Sequence, residues 1–299
     1  GGSQAAQDSL AGRVAEINRK LLAFTGWEAL PWIVAALVLL VGAGLMMKSL
    51  WRLLNTDIGF KTENVLTMQI VLPPAKYPDA NPLINFNNQL RERVQSLPGV
   101  TGAGTVNILP VNSGNTTRFY VDGDPIPPPG QEIESNIRTV SDDYFKTLGI
   151  PLLAGRTFDT RDTPTTPVGV IINKTIADRV FPGRDPVGMR LRYPSVQVDP
   201  ITIVGVVGDV KITGLDEEIK PVLYYPARQS GFNANLVVRT STDPTSLSNA
   251  VRGEISKLDP DAAILNVNTM EGMIAETPAS FSGRFFRAEE DSTPMAHAV

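Results

Sequence analysis

The chain has 299 residues, 42% of them apolar and 19% charged, enough for one large or two small packed domains and too apolar for a disordered protein. Its formal charge of -4 gives it no basic surface for a phosphate backbone, so nucleic acid is not an expected partner. It has no cysteine, which removes disulfides, thiolate metal sites, iron–sulfur clusters and cysteine nucleophiles together.

Residues 1–28 open the chain with an amphipathic segment. Leu10, Val14, Ile17, Leu21 and Phe24 recur at helical spacing with charges between them, which predicts a helix over 8–24 lying on a membrane or a partner. The run from Ala29 to Met47 then contains no charged or strongly polar residue. At 1.5 Å per residue its 19 positions span about 28 Å, close to the ~30 Å hydrocarbon layer of a bilayer. A buried globular helix usually keeps a polar stripe, and this run has none. A cleavable signal peptide would account for Arg13, Arg19 and Lys20 before the run and for Gly42-Ala43-Gly44 within it. Three apolar residues follow those small ones, however, and the run is longer than a signal core of ~7–15 residues. Residues 29–54 therefore read as a single uncleaved transmembrane helix and stalk, with Trp51 as an interfacial anchor. Lys and Arg stand at both ends, so the positive-inside count leans only slightly toward an inside N-terminus.

Residues 55–277 read as one extracytoplasmic domain of α+β class. A strand at 64–73, a helix at 82–97 with Leu83, Phe86, Leu90, Val94 and Leu97 on one face, and a strand at 100–110 make a β-α-β unit. A third strand follows at 116–123, before the Pro-rich PIPPPG loop. A matching unit has a strand at 234–241, a helix at 243–260 with Asp243 as N-cap and Pro244 at its first position, and a strand at 264–270. Two such halves, about 60–136 and 221–277, predict a split ferredoxin-like layer of porter type. An inserted second α/β subdomain occupies about 137–220. Its elements are a short capped helix at 141–149, a strand running into a helix at 168–181, and a buried strand with a glycine-bearing end at 201–210. Residues 278–299 read as a polar, disordered tail.

These segments also carry a family resemblance. LVGAGLMMKSLWRL (40–53), DIGFKTENVLTMQIVLPPAKYP (57–78), RVQSLPGVTGAGTVNILP (93–110), VSDDYFKTLGIPLLAGRTFDTRDT (140–163), VIINKTIADRVFPGRDPVGMRLR (170–192) and ITIVGVVGDVKITGLDEEIKPVLYYP (201–226) follow one another in unbroken order. Together, over about residues 35–277, they resemble the MacB-like periplasmic core domain of MacB/FtsX-like ABC transporter permeases, most nearly the duplicated orphan type. The resemblance implies a porter-like layer with an inserted subdomain. It also implies a bacterial inner-membrane protein with its main domain outside, which pairs with a cytoplasmic ABC ATPase and with other permease helices or a second permease half. Such a protein couples ATPase motion to export or mechanotransmission and binds no nucleotide itself. The family continues beyond the segment matching 270–277 into three further transmembrane helices, whereas TPASFSGRFFRAEEDSTPMAHAV is short and polar. Residues 1–28 also match poorly, so both ends read as marks of truncation.

Two other classes compete: a membrane-anchored binding module without a transport role, and an anchored hydrolase. Enzyme chemistry finds few candidates. The one histidine is His297, so a Ser-His-Asp triad or a multi-histidine metal site lacks its parts. GVVGDV (205–210) has neither the spacing nor the Lys of a phosphate loop and reads as a strand end with a tight turn. Carboxylates gather at Asp142-Asp143, at Asp159 with Asp162, and at Asp216-Glu217-Glu218. Spacing alone leaves a calcium site or an acid/base pair open, but each cluster sits at a turn or helix start, where solvated or backbone-capping roles are expected. The sequons at Asn115 and Asn173 are given no role. No catalytic, cofactor-binding or metal-binding residue is assigned, and no cofactor is expected.

Overall fold

The computed structural model describes residues 12–13, 15–17, 19, 30–54, 58–110, 112, 114–194, 199–211 and 218–280. They fall in two compact units that divide between residues 56 and 57.

In the first unit the described residues among 12–19 are helical, and Ile17 is exposed. The other apolar positions of the amphipathic segment lie outside the described residues. Helix α1, Leu30–Leu54, is 25 residues long. Its described side chains, at 33–44 and 47, are all apolar or glycine. They are exposed around the whole helix, from Ile33 and Val34 through Leu37 and Leu40 to Met47. Among the described residues, which in α1 include side chains only at 33–44 and 47, no helix is long and apolar enough to cross a membrane.

The second unit is a mixed α+β domain. Its strands are β1 Val65–Val71, β2 Val100–Val106, β3 Thr116–Val121, β4 Ile133–Val140, β5 Leu152–Gly155, β6 Gly169–Asn173, β7 Arg190–Arg192, β8 Ile201–Val207, β9 Val222–Pro226, β10 Asn235–Thr240 and β11 Ala263–Thr269. The helices are α2 Ala80–Gln95, α3 Tyr144–Leu148, α4 Lys174–Val180, α5 Ser248–Leu258 and α6 Met270–Ser280.

Four strands form the first layer in the order β11-β1-β10-β2, each antiparallel to its neighbour. Alternation along the strands decides what each face packs against. Leu66, Met68 and Ile70 of β1, with Leu236 and Val238 of β10, turn to one side and meet Phe86, Leu90 and Val94 of α2 and Val251 and Ile255 of α5. Each such side chain removed from water contributes about 1.5–3 kcal/mol. On the opposite side Val65, Val106 and Val237 pack with Tyr144, Phe145 and Leu148 of α3. That helix lies so close to β2 that a Cβ on Gly104 would stand 2.9 Å from the Tyr144 Cα. Gly149 ends α3 in the left-handed region at φ 69°, a conformation glycine adopts without steric cost.

The remaining strands close on themselves. β4 pairs with β3, β3 with β7, β7 with β8, β8 with β6, β6 with β9, and β9 with β4 in parallel register. β5 adds to the far end of β8. The interior of this six-stranded barrel is filled by Phe119, Val121, Val170, Ile172, Leu191, Ile203 and Leu223. Ile176 of α4 and the following Phe181 join that core from the end where β6 and β8 finish. β3 and the start of β4, which the sequence groups with the first half through residue 136, pair inside the barrel. The strand bridge to the first layer is narrow, and a core shared by Val65, Val106 and Val237 with Ile171, Val207 and Tyr224 backs it. Val106 pairs with Val140, and next to them Asn107 exchanges two bonds with Thr139: N–H to the carbonyl at 3.0 Å, and Oδ1 from the N–H at 2.9 Å.

Two predicted helix starts differ from expectation. Asp243 caps as anticipated, accepting from Thr245 N–H at 2.9 Å, but the turn it opens is a 3-10 turn, Pro244–Leu247, and the α-helix begins at Ser248. The hydroxyls of Ser246 and Ser248 bond back to carbonyls three residues earlier, which favours the tighter turn. At α3 the capping residue Asp143 makes no side-chain cap bond, because its carboxylate pairs with Arg91. Ser141 is likewise drawn sideways, its Oγ accepting from Thr105 N–H on β2 at 2.9 Å.

Candidate functional site

Two of the three carboxylate clusters picked out by sequence are held by arginines. Asp142 accepts from Arg228 Nε at 2.8 Å and Nη2 at 2.7 Å, while Asp143 pairs with Arg91. Asp162 is only 3% exposed and takes a two-pronged bond from Arg156, 2.7 Å on each side. Burial alone would raise its pKa. The Arg156 guanidinium and the Asp159 N–H outweigh that and hold it below the usual carboxylate range. Asp159 is lowered too, chiefly by the side chain of Arg161 and then by its N–H. Backbone capping is present at Asp159 and Asp162, which accept from the N–H groups of Arg161 and Asp159, and absent at Asp143; Asp162 is a buried ion pair and not a solvated group. The reason is that Arg156, at the end of β5, stands six residues back along a tight loop. Asp216 and Glu217 of the third cluster lie outside the described residues, as does His297. Among the described residues no three His, Cys, Asp or Glu side chains converge in a way that could hold a metal ion.

The glycine-bearing end of β8 forms a structural junction. Gly208 donates its N–H to the Pro151 carbonyl at 2.8 Å, and Asp209 Oδ1 accepts from Asn173 Nδ2 at 2.7 Å and Thr175 N–H at 2.9 Å. Asn173 is fully buried and uses both ends of its amide twice. Nδ2 also donates to the Lys220 carbonyl at 3.0 Å, and Oδ1 accepts from Ile176 N–H at 3.3 Å, capping α4, and from Val222 N–H at 3.1 Å. One side chain thus ties the end of β6, the start of α4, the end of β8 and the start of β9. Its sequon is sealed inside the fold, while Asn115 is exposed.

A residue that sequence reasoning did not single out is Arg138, 1% exposed in the middle of β4. Its Nη1 donates to the Ile137 carbonyl at 2.9 Å and its Nη2 to the Asn112 carbonyl at 2.7 Å. Desolvation lowers its pKa, and burial raises those of neighbouring Tyr144 and Tyr224. A Cβ on Gly114 would fall 2.4 Å from Nη1, so the guanidinium occupies the room a side chain there would need. The sequence signal was a lone charge in the alternation Ile137-Arg138-Thr139-Val140.

These arrangements brace the domain, and they run through the span that the family comparison recognises. Residues 32–258 match the family model of the MacB-like periplasmic core domain. The chain belongs to that family. In this MacB-like domain the matched span begins within α1 and ends with α5, leaving β11 and α6 beyond it. Among solved structures it is similar to the periplasmic region of MacB from Actinobacillus actinomycetemcomitans, at 14% identity and a TM-score of 0.48, over 77% of this chain and 99% of that one. It is also similar to a domain of a putative permease protein from Porphyromonas gingivalis, at 16% identity and a TM-score of 0.43, over 70% and 94%. A third is the extracellular domain of the noncanonic ABC-type transporter YknZ from Gram-positive bacteria, at 15% identity and a TM-score of 0.43, over 68% and 100%. No curated protein matches the sequence.

Proposed function

We propose that the chain is the extracytoplasmic domain and first membrane helix of an ABC-type transporter permease in the bacterial inner membrane. The observation that carries this reading is α1. A 25-residue helix whose described side chains are apolar and exposed on every side has no stable place in water, since each exposed aliphatic side chain forgoes about 1.5–3 kcal/mol. Lipid, and the helices of other permease segments or a second permease half, supply the missing cover. Joined to a MacB-like periplasmic core domain, such a helix leads to the role of transmitting the motion of a cytoplasmic ABC ATPase outward, for export or mechanotransmission.

The order β11-β1-β10-β2, with α2 and α5 on one face, supports a split ferredoxin-like layer at 4-1-3-2 in chain order. On this reading the inserted subdomain runs over about 116–226 and not 137–220, a boundary supported by the pairing of β3, β4 and β9 within the barrel. The barrel and its braces then act as a rigid body that moves without internal rearrangement.

The test is membrane release and topology. Arg at mid-membrane costs ~2.5–3.5 kcal/mol where Leu is favourable, so Leu37→Arg with Leu40→Arg removes roughly 6 kcal/mol or more of insertion energy. The double variant is expected to leave carbonate-washed membranes while the unmodified chain stays. In this cysteine-free chain, Ser246→Cys is expected to label with an impermeant thiol reagent in intact cells and Ser3→Cys only after lysis. Retention of the double variant, or labelling of position 3 alone before lysis, overturns the proposal.

A further inference from the structure

The face of β1, β2, β10 and β11 turned away from α2 and α5 is divided. At one end its valines are covered by α3; at the other it carries side-chain amides. Gln69 and Asn235 are cross-strand partners on β1 and β10. Asn107, just past β2, accepts Asn235 Nδ2 on its carbonyl at 2.8 Å. On the opposite flank Asn266 of β11 donates Nδ2 to Gln69 Oε1 at 2.6 Å. Four amides from four neighbouring segments therefore stand in one row across the strands, along a cleft of about 440 Å³. Neighbouring strands lie ~4.7–4.9 Å apart, so the row runs about 14 Å.

The chemistry of this cleft is narrow. Among the described residues that line it none is titratable, so a charged ligand finds no counter-charge there. The amides already brace one another, which fixes their direction. Each still has a group without a partner among the described residues: Asn107 Nδ2, Gln69 Nε2, Asn235 Oδ1 and Asn266 Oδ1. Donors and acceptors thus alternate along the row, as vicinal hydroxyls require, since each hydroxyl both gives and takes a bond. Leu109 and Val267 add apolar surface beside it. The spacing discriminates further. An extended peptide repeats every ~3.3 Å, or ~6.6 Å for side chains on one face, and neither matches a row with the interstrand period. The ring-to-ring rise of an extended β-1,4-linked pyranose chain is close to that period.

We propose that this amide row is a binding subsite for an unbranched, uncharged glycan chain, one sugar ring per strand. The proposal does not rest on the permease reading.

The test is titration calorimetry on the full chain in lipid nanodiscs, because sugar-headed detergents would compete. The probes are the β-1,4-linked tetrasaccharides of N-acetylglucosamine and of glucose. At least one is expected to bind saturably at millimolar concentration or below. Gln69→Leu and Asn235→Leu should each weaken that binding tenfold or more while the far-ultraviolet circular dichroism spectrum stays that of the unmodified chain. Absence of saturable binding to the unmodified chain overturns the proposal, whatever the variants do. Glycan binding that both folded variants retain overturns it as well, since the site is then elsewhere. Stronger binding of an uncharged tetrapeptide with the same dependence on Gln69 and Asn235 overturns the ligand class and makes the row a peptide subsite.

Discussion

Replacing Asn173 by Ala tests how much of the barrel depends on one amide. The change leaves Ile176 N–H and Val222 N–H without their acceptor, in a place with 0% exposure, and takes one of two donors from Asp209. A buried donor left unsatisfied costs about 1–3 kcal/mol, and the loss at Asp209 adds a charged bond of similar size, so the total is about 4 kcal/mol. The assay is urea unfolding of residues 58–280 followed by far-ultraviolet circular dichroism. At a slope of about 2–3 kcal/mol per molar the midpoint should drop by about 1.3–2 M. Asn173→Asp separates the parts of this effect. It keeps both acceptor bonds but sets a second carboxylate against Asp209, so at neutral pH it should be the more damaging change. Its deficit relative to the unmodified protein should shrink in acid, where the pair shares a proton. A midpoint drop under about 0.3 M for Asn173→Ala, or a pH-independent deficit for Asn173→Asp, would refute the reasoning.

Gly104→Ala places a methyl 2.9 Å from the Tyr144 Cα, a backbone atom that cannot step aside, and should destabilise by about 1–3 kcal/mol in the same urea assay. Phe145→Ala removes a ring 5.6 Å from Tyr144 and 5.0 Å from Tyr224, and should cost about 3–5 kcal/mol. The pH profile should fall at both ends. Asp159 and Asp162 have folded pKa values below the free value of ~3.9, so their contribution is whole above that pH and drains as pH falls through the folded values. Tyr144 and Tyr224 are raised above ~10 by burial, so their contribution is whole below that pH and is lost as pH rises through the folded values. Melting midpoints at graded pH check both limbs, and a flat acid limb would mean that the Arg156 and Arg161 pairs hold no more tightly than solvent.

How far the sequence carried depended on whether burial was one-sided. α2 repeats Phe86, Leu90 and Val94 on one face, so periodicity located it, whereas β1, buried on both faces, showed as an apolar, β-branched run closing on Pro73-Pro74, and α5 showed by its Asp243-Pro244 start. β4 was not legible because Ser135, Asn136, Arg138 and Thr139 are buried polar residues that break its alternation; of them Arg138 reaches the Asn112 carbonyl, and the backbone N–H groups of Asn136 and Thr139 donate to Pro221 and Asn107. β7 is three residues long and has no period to read. The barrel stayed hidden for a related reason: its closure rests on the parallel pairing of β4 with β9, more than 80 residues apart. At the carboxylates, position at turns was visible in the sequence, while the arginines that hold them come from α2, from the end of β5 and from the turn after β9. Asn173 looked like a sequon, and only the packing around Val222 and Asp209 shows it as a tie.

The antiparallel pairing of β1 with β11 sets Leu66 directly opposite Thr269, so the chain enters and leaves this domain through two neighbouring strands. Tension between the two flanking segments would load the hydrogen bonds of that pair one after another, as in a zipper, and not all at once, as in shear. The barrel shares that load, because the segment entering β1 is tied to it as well: the Ile58 carbonyl accepts from Lys211 N–H at 3.1 Å, and Phe60 packs in a core with Val207 and Tyr224. A domain hung in this way can be pushed or turned by its stems as a unit, and it would fray first where they meet.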